Sequence, residues 1–469
     1  VPGLTRLLLP VCPALLAAAP LHLETRVIRI EGGPVVVLHE DRRAPRVLVH
    51  ALLHAGVADE GPGRSGLAHL AEHLFVEGGV PGQEGASFLE ILAPVGGDLN
   101  AWTDFDATAF HWTLPSGELD RALALLAGRL GAPAGGLETG MLEREKAVLR
   151  AEILQRAEAP HARDALALAL ALWPEGHPYA RALAGDPDEL PSLGQETLAD
   201  FYARHYAPSR FSVVVTGDLD LDTTERALRL RLADLPRPEA APLSDVPVTP
   251  LVTEQRRVFR APVPDPTLYA AWRTVPWGHP DEPALDAVAR LLSSGPGSRL
   301  HERLRRRGLA DRVQAWTDNG RSGGMLTVGL SSTSTSLPRL LRILDATLRE
   351  LGESGPGEPE LARFRGAMRG SLLRRVEPLL GRAEAFNACM LRWDRPDCMD
   401  EELRRWESVD ADAVRRVLEV HLRPDRRVLL SVVPEGDGGA LPGSVPLEAP
   451  LSVDAGYFAS STAMASMSR

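Results

Sequence analysis

The chain has 469 residues, 44% of them hydrophobic and 25% charged, a composition that excludes fibrous and disordered protein. With 52 Lys and Arg against 63 Asp and Glu, the formal charge of −11 leaves no basic footprint for phosphates, and nucleic acid is not an expected partner. Three cysteines, Cys12, Cys389 and Cys398, are too few and too far apart for a disulfide framework or a thiolate zinc cluster, so any metal must be held by His and carboxylate.

Residues 1–20 carry one basic residue, Arg6, an apolar run from Leu7 to Leu16, and Ala17-Ala18-Ala19-Pro20, the outline of a secretory signal peptide. The expected location is therefore periplasmic or secreted. No other stretch reaches the roughly 18 apolar residues of a membrane span. With the leader removed, Cys389 and Cys398 remain, either paired in an oxidising compartment or as two buried thiols.

Residues 21–235 read as a first domain. Val27 to Val37 and Arg46 to Leu53 have strand patterns, followed by helices at Gly66 to Phe75 and Glu84 to Ala93 and a strand from Asp98 to Leu114. Helices are predicted over Gly117 to Leu130, Gly140 to Ala157, Ala162 to Leu172 and Gln195 to His205, and Phe211 to Asp218 closes the unit as a strand. Residues 236–250, with five prolines and no apolar periodicity, read as a linker. Residues 251–436 repeat the order: strand over Arg256 to Thr274, helix over Glu282 to Leu292, strand over Gly323 to Leu330. Helices at Leu337 to Leu351, Glu358 to Arg375 and Ala411 to His421 then lead to a strand at Arg427 to Val433. The expected fold class is α+β, two similar domains of about 200 residues each. Residues 437–469, rich in Gly, Pro, Ser and Ala, read as a flexible tail.

In His69-Leu70-Ala71-Glu72-His73 the histidines stand at i and i+4, one turn apart on one helix face, where both rings reach one cation. A catalytic zinc takes three protein ligands and a water, and Glu72 is placed to take that water's proton. H-x-x-E-H is the inverzincin order. With 13 His and 63 acidic residues in this chain it is expected by chance roughly 0.05 times. The flanking Leu67, Ala68, Leu70, Ala71, Leu74 and Phe75 make the helix apolar nearly all round, and a buried Glu72 then needs a metal or a partner.

A third ligand must come from elsewhere. The helix around Met141 to Leu154 offers Glu143, Glu145 and Glu152, of which Glu145 and Glu152, two turns apart, share a face. One of these can bind zinc while the other orients a ligand.

At this point the sequence resembles the zinc metallopeptidases related to pitrilysin, insulysin and mitochondrial processing peptidase. The resemblance rests on Asp59-Glu60, Ser65-Gly66-Leu67-Ala68-His69, Gly96-Gly97-Asp98-Leu99-Asn100-Ala101-Trp102-Thr103, Glu145-x-x-Val148-x-x-x-Glu152, His177-Pro178-Tyr179, Tyr206-Ala207-Pro208 and Val214-Val215-Thr216-Gly217-Asp218. It implies His69, His73 and Glu152 as zinc ligands, Glu145 as the carboxylate behind them and Glu72 as general base. It also implies mostly antiparallel sheets packed with helices, forming half of a clamshell chamber. There an extended peptide substrate adds to the strand of Asn100 and Ala101, by main-chain hydrogen bonding to a sheet edge.

One departure stands out. Active relatives carry an Arg and a Tyr in the second half that hold the substrate carbonyl. Here the matching segment runs Ser298 to Val313, with Arg305 available as the Arg and Asp311 at the tyrosine position. A carboxylate cannot donate to an oxyanion, and losing one such donor typically costs about 10²–10³ in rate. The resemblance therefore implies a heterodimer with a related subunit that keeps the pair; a homodimer would lack the Tyr. The rival reading is a peptide-binding or scaffold subunit without turnover, against which the intact Glu72 speaks. A nucleotide-dependent enzyme finds no support, since Gly295-Pro296-Gly297 lacks the Lys-Ser/Thr of a phosphate loop.

Overall fold

The computed structural model describes residues 23–80, 86–135, 139–159, 161–244, 246, 248–436 and 439–447; the leader expected over 1–20 lies outside them. Val27 to Val37, expected as one strand, is a hairpin of β1 (Arg26–Arg29) and β2 (Val35–Glu40) that turns at Gly32-Gly33. Next come β3 (Arg46–Leu53), α1 (Leu67–Glu77) and α2 (Phe88–Leu92), which is shorter than the helix expected there. Asp98 to Leu114 also divides, into β4 (Asp98–Thr103) and β5 (Thr108–Pro115). The turn between them is local: Asp104 Oδ1 accepts the N–H of Phe105 at 2.7 Å, and the N–H of Asp104 reaches the carbonyl of Ala107. Helices α3 (Leu119–Gly131), α4 (Thr139–Ala157), α5 (Asp164–Leu172) and α6 (Gln195–His205) lead to β6 (Phe211–Gly217). An unexpected helix, α7 (Leu221–Arg231), follows, capped by Asp220 on the N–H of Thr223.

The second half begins with β7 (Gln255–Arg260) and β8 (Thr267–Thr274), again two strands where one was expected, and α8 (Glu282–Ser293). Then come β9 (Arg312–Asn319), β10 (Gly324–Ser331), α9 (Leu337–Ser354), α10 (Glu358–Val376), α11 (Leu379–Trp393), α12 (Met399–Glu407), α13 (Ala411–Val420) and β11 (Val428–Val433). Of these, β9, α11 and α12 have no counterpart in the sequence reading. Within the stretch expected as a flexible tail, Leu441 is buried and β12 (Val445–Pro446) pairs with β7, because Val445 and Pro446 extend an open sheet edge.

The fold is α+β, as expected, with two six-stranded sheets ordered β1-β2-β6-β3-β5-β4 and β12-β7-β11-β8-β10-β9. Each is mostly antiparallel, with β2 parallel to β6 and β7 parallel to β11. The sheets are thus laid out alike, and β4 and β9 are corresponding edges.

Each half also covers the other's sheet. Helix α5 of the first half lies on β8 and β11, where Ala165, Leu168 and Leu172 join Tyr269, Ala271 and Leu430 in one core. In return α11 of the second half lies on β3 and β6, with Phe386 and Ala383 against Leu48 and Val214. Hydrogen bonds fix both exchanges: Tyr269 donates to Asp164 at 2.8 Å, and Asn387 Nδ2 donates to the carbonyl of His50 at 2.8 Å. A disulfide joins Cys389 on α11 to Cys398 at the start of α12, resolving the choice between paired and free thiols in favour of pairing.

Candidate metal centre

Helix α1 is preceded by Gly66, whose φ of +94° is a left-handed conformation open to glycine at little cost. There the chain packs against Gly185, at φ +106°; a Cβ on Gly185 would lie 2.5 Å from Cα of Gly66. Two glycines therefore let the backbone before Gly185 touch the start of α1, and the carbonyl of Ala184 meets His69 Nδ1 at 3.1 Å. Below the helix start, the buried Glu60 accepts the N–H groups of Gly66 at 3.3 Å and Ala68 at 2.8 Å, and Arg181 pairs with it at 3.4 Å. Helix N-termini carry unsatisfied N–H groups, and the oxygens of this carboxyl group accept two of them.

The two imidazoles are oriented from behind. His69 is held at Nδ1 by the Ala184 carbonyl, and His73 Nδ1 faces Glu145 Oε2 at 3.4 Å. Both Nε2 atoms then turn toward Glu152 on α4: His69 Nε2 lies 4.0 Å from Oε1 and His73 Nε2 lies 3.6 Å from Oε2. One donor atom from each of the three residues falls within 4.8 Å of the others. Around a tetrahedral zinc with bonds of about 2.0–2.2 Å, ligand atoms stand about 3.3–3.5 Å apart, so these residues fit zinc after a small contraction. Nδ1 contacts that leave Nε2 free are the usual support behind a metal-binding histidine.

Electrostatics favour a cation at the same point. Hydrogen bonding from one nitrogen of His73 holds Glu152 down to about 2, and hydrogen bonding from its other nitrogen lowers Glu145. Burial opposes charge on His73, but Glu145, Glu152 and the charge of Glu72 outweigh it and raise the ring to about 9. His69 is pushed down to about 4 by burial and then by the charge of His73, so it stays neutral and ready to ligate. Without metal, a proton on His73 stands where a divalent ion would balance the carboxylates.

Glu72 is 7% exposed, and Thr103 at the end of β4 donates to its Oε2 at 2.5 Å. Burial raises its carboxyl to about 7, a rise moderated by Thr103 and His73. Asn100 and Ala101 lie on β4, the free edge of the first sheet, opposite His111 and Phe110 of β5. Asp311 immediately precedes β9, far along the chain from α1, and acts through its carboxylate only as an acceptor, from the N–H and hydroxyl of Thr333 at 2.7 and 3.0 Å. Arg305 is exposed in the one-turn segment His301–Arg305. The structure thus brings together His69, Glu72, His73, Glu145 and Glu152, and puts Asn100 and Ala101 on the neighbouring edge. Sequence reasoning missed Ala184, Thr103 and the roles of Glu60 and Arg181. Of these, Glu60 and Thr103 stood in the motifs that carry the resemblance, but without these roles.

Residues 35–184 match the family model described as Insulinase (Peptidase family M16), and residues 192–368 match that of the Peptidase M16 inactive domain. An uncharacterised zinc protease of Mycobacterium tuberculosis is 26% identical over 436 residues, covering 90% of this chain and 95% of that one. Among solved structures, a protease from Helicobacter pylori superposes with a TM-score of 0.80 at 19% identity, covering 88% of this chain and 100% of that one. The periplasmic protease PqqL from Escherichia coli superposes with a TM-score of 0.73 at 18% identity, over 88% of this chain and 48% of that one.

Proposed function

The chain belongs to peptidase family M16, and from that premise we propose that it is the metal-carrying subunit of a zinc endopeptidase that cuts unfolded polypeptides. The observation that carries the reading is the convergence of His69 Nε2, His73 Nε2 and the Glu152 carboxylate beside a buried Glu72. Zinc held by these three residues would supply a Lewis acid and a water of lowered pKa.

The chain's own residues do the rest. A polypeptide pairs with the free edge of β4 at Asn100 and Ala101, which sets its register by main-chain hydrogen bonds. Glu72, steadied by Thr103, takes a proton from the attacking water as the new C–O bond forms, and the carbonyl π pair moves onto its oxygen. The C–N bond then breaks, and Glu72 returns the proton to the departing amine. A carboxyl group that titrates near neutrality is suited to both transfers. Glu145 and the Ala184 carbonyl keep the two imidazoles in the ligating tautomer.

The chain spans about half of PqqL, and Asp311 accepts where an oxyanion donor is wanted; both support a two-chain chamber whose other subunit brings the Arg and Tyr. The apolar leader and the Cys389–Cys398 disulfide support an oxidising, extracytoplasmic location.

Elemental analysis tests the reading, with about one zinc per chain expected in the wild type and none in Glu152→Ala. Glu72→Gln should keep the zinc and lose cleavage of unfolded protein. A wild type without zinc would refute the proposal, and turnover by Glu72→Gln at the wild-type rate would refute the base.

A further inference from the structure

One charged group at the centre has no part in the mechanism so far. Arg156 follows Glu152 by one turn on α4, so the two share a face, and its guanidinium pairs with Glu152 Oε1. The same oxygen is the one 4.0 Å from His69 Nε2. Two other cations of this helix are engaged elsewhere: Arg144 pairs with Glu145 at 3.3 Å, and Lys146 donates to Glu143 and to the carbonyl of Pro191. The Arg156 side chain is 44% exposed, so part of its guanidinium remains accessible beside Glu152.

We infer that Arg156 is a catalytic residue that donates from this chain to the oxygen of the scissile carbonyl as negative charge develops on it. The inference rests on the zinc peptidase reading and deepens it. A guanidinium has five N–H donors in a fixed fork, and one carboxylate engages at most two, so donors remain for a second oxygen. Glu152 anchors the fork at the edge of the site. When the carbonyl π pair moves onto oxygen, the new charge meets a fixed cation that needs no reorganisation.

The test uses the full zinc-loaded chain and a labelled pool of phosphinic pseudo-pentapeptides randomised at the residues flanking the phosphinate. A matching pool of ordinary peptides is titrated beside it by fluorescence polarisation. Wild type should prefer the phosphinic pool, Arg156→Met should lose about 10²-fold of that preference, and Arg156→Lys should retain part of it. Zinc content should stay at about one per chain in all three. Equal phosphinate binding by wild type and Arg156→Met, or no preference in the wild type, would overturn the inference alone. Loss of zinc from Arg156→Met would do the same, by making the arginine a clamp on Glu152. Absence of zinc from the wild type would instead bring down the peptidase reading itself, and this inference with it.

Discussion

Replacing Glu60 by Gln should make the chain's stability less sensitive to pH, and the sign of the change is set by burial. Glu60 is wholly enclosed, and desolvation lifts its carboxyl to about 7 from an ordinary value of 4.5, against the pull of Arg181 and the N–H groups of Ala68 and Gly66. A raised acid is protonated in the folded chain and ionised in the unfolded one between these two values. Folded protein therefore binds more protons there, and stability falls as pH rises from about 4.5 to about 7. At about 1.4 kcal/mol per unit the loss is about 3 kcal/mol, complete above pH 7 and absent below 4.5. Gln cannot ionise and removes this slope while keeping one acceptor for the helix start. The assay is urea unfolding of wild type and Glu60→Gln from pH 4.5 to 8.5 with a chelator present, so that metal occupancy does not vary. The wild-type advantage should shrink by about 3 kcal/mol across the range. A difference that stays flat, or grows with pH, would refute the reasoning by showing that Arg181 and the helix terminus outweigh desolvation.

Two further outcomes follow from the same site and fold. Glu145→Ala should weaken zinc binding by about 10–100-fold in a competition titration against a chelating dye, because His73 loses the partner that fixes its ring. Reducing the Cys389–Cys398 bond, or replacing Cys389 by Ala, should lower unfolding stability by about 2–3 kcal/mol, the chain-entropy value for a link between residues nine positions apart. Denaturant titration with and without reductant measures it, and equal midpoints would contradict it.

The parts of the fold that could be read from sequence are those whose neighbours in space are also neighbours in the pattern. The β3 strand is a run of buried residues on both faces and reads directly as such. Helix α1 reads because His69 and His73 share a face whatever else surrounds them. Asp98 to Leu114 read as one strand because its pattern runs through the turn, which is made by an aspartate and its own backbone without glycine or proline. Helices α11 and α12 escaped for opposite reasons. The first is buried on several sides by a sheet from the other half, which blurs its 3.6-residue period, and the second is a short charged helix with few apolar residues. At the site, ligand residue types have a recognisable spacing, but a main-chain carbonyl has no sequence signature, so Ala184 was invisible. Thr103 reached Glu72 only through the placement of β4 beside α1.

The exchange of α5 and α11 has a mechanical consequence. Each sheet owes the seal on one face to a helix that belongs to the opposite half, so pulling the halves apart would strip apolar surface from both at once. The two sheets cannot part without breaking both cores. The two halves are tied to travel together, so this chain behaves as a single stiff shell and not as a hinged pair.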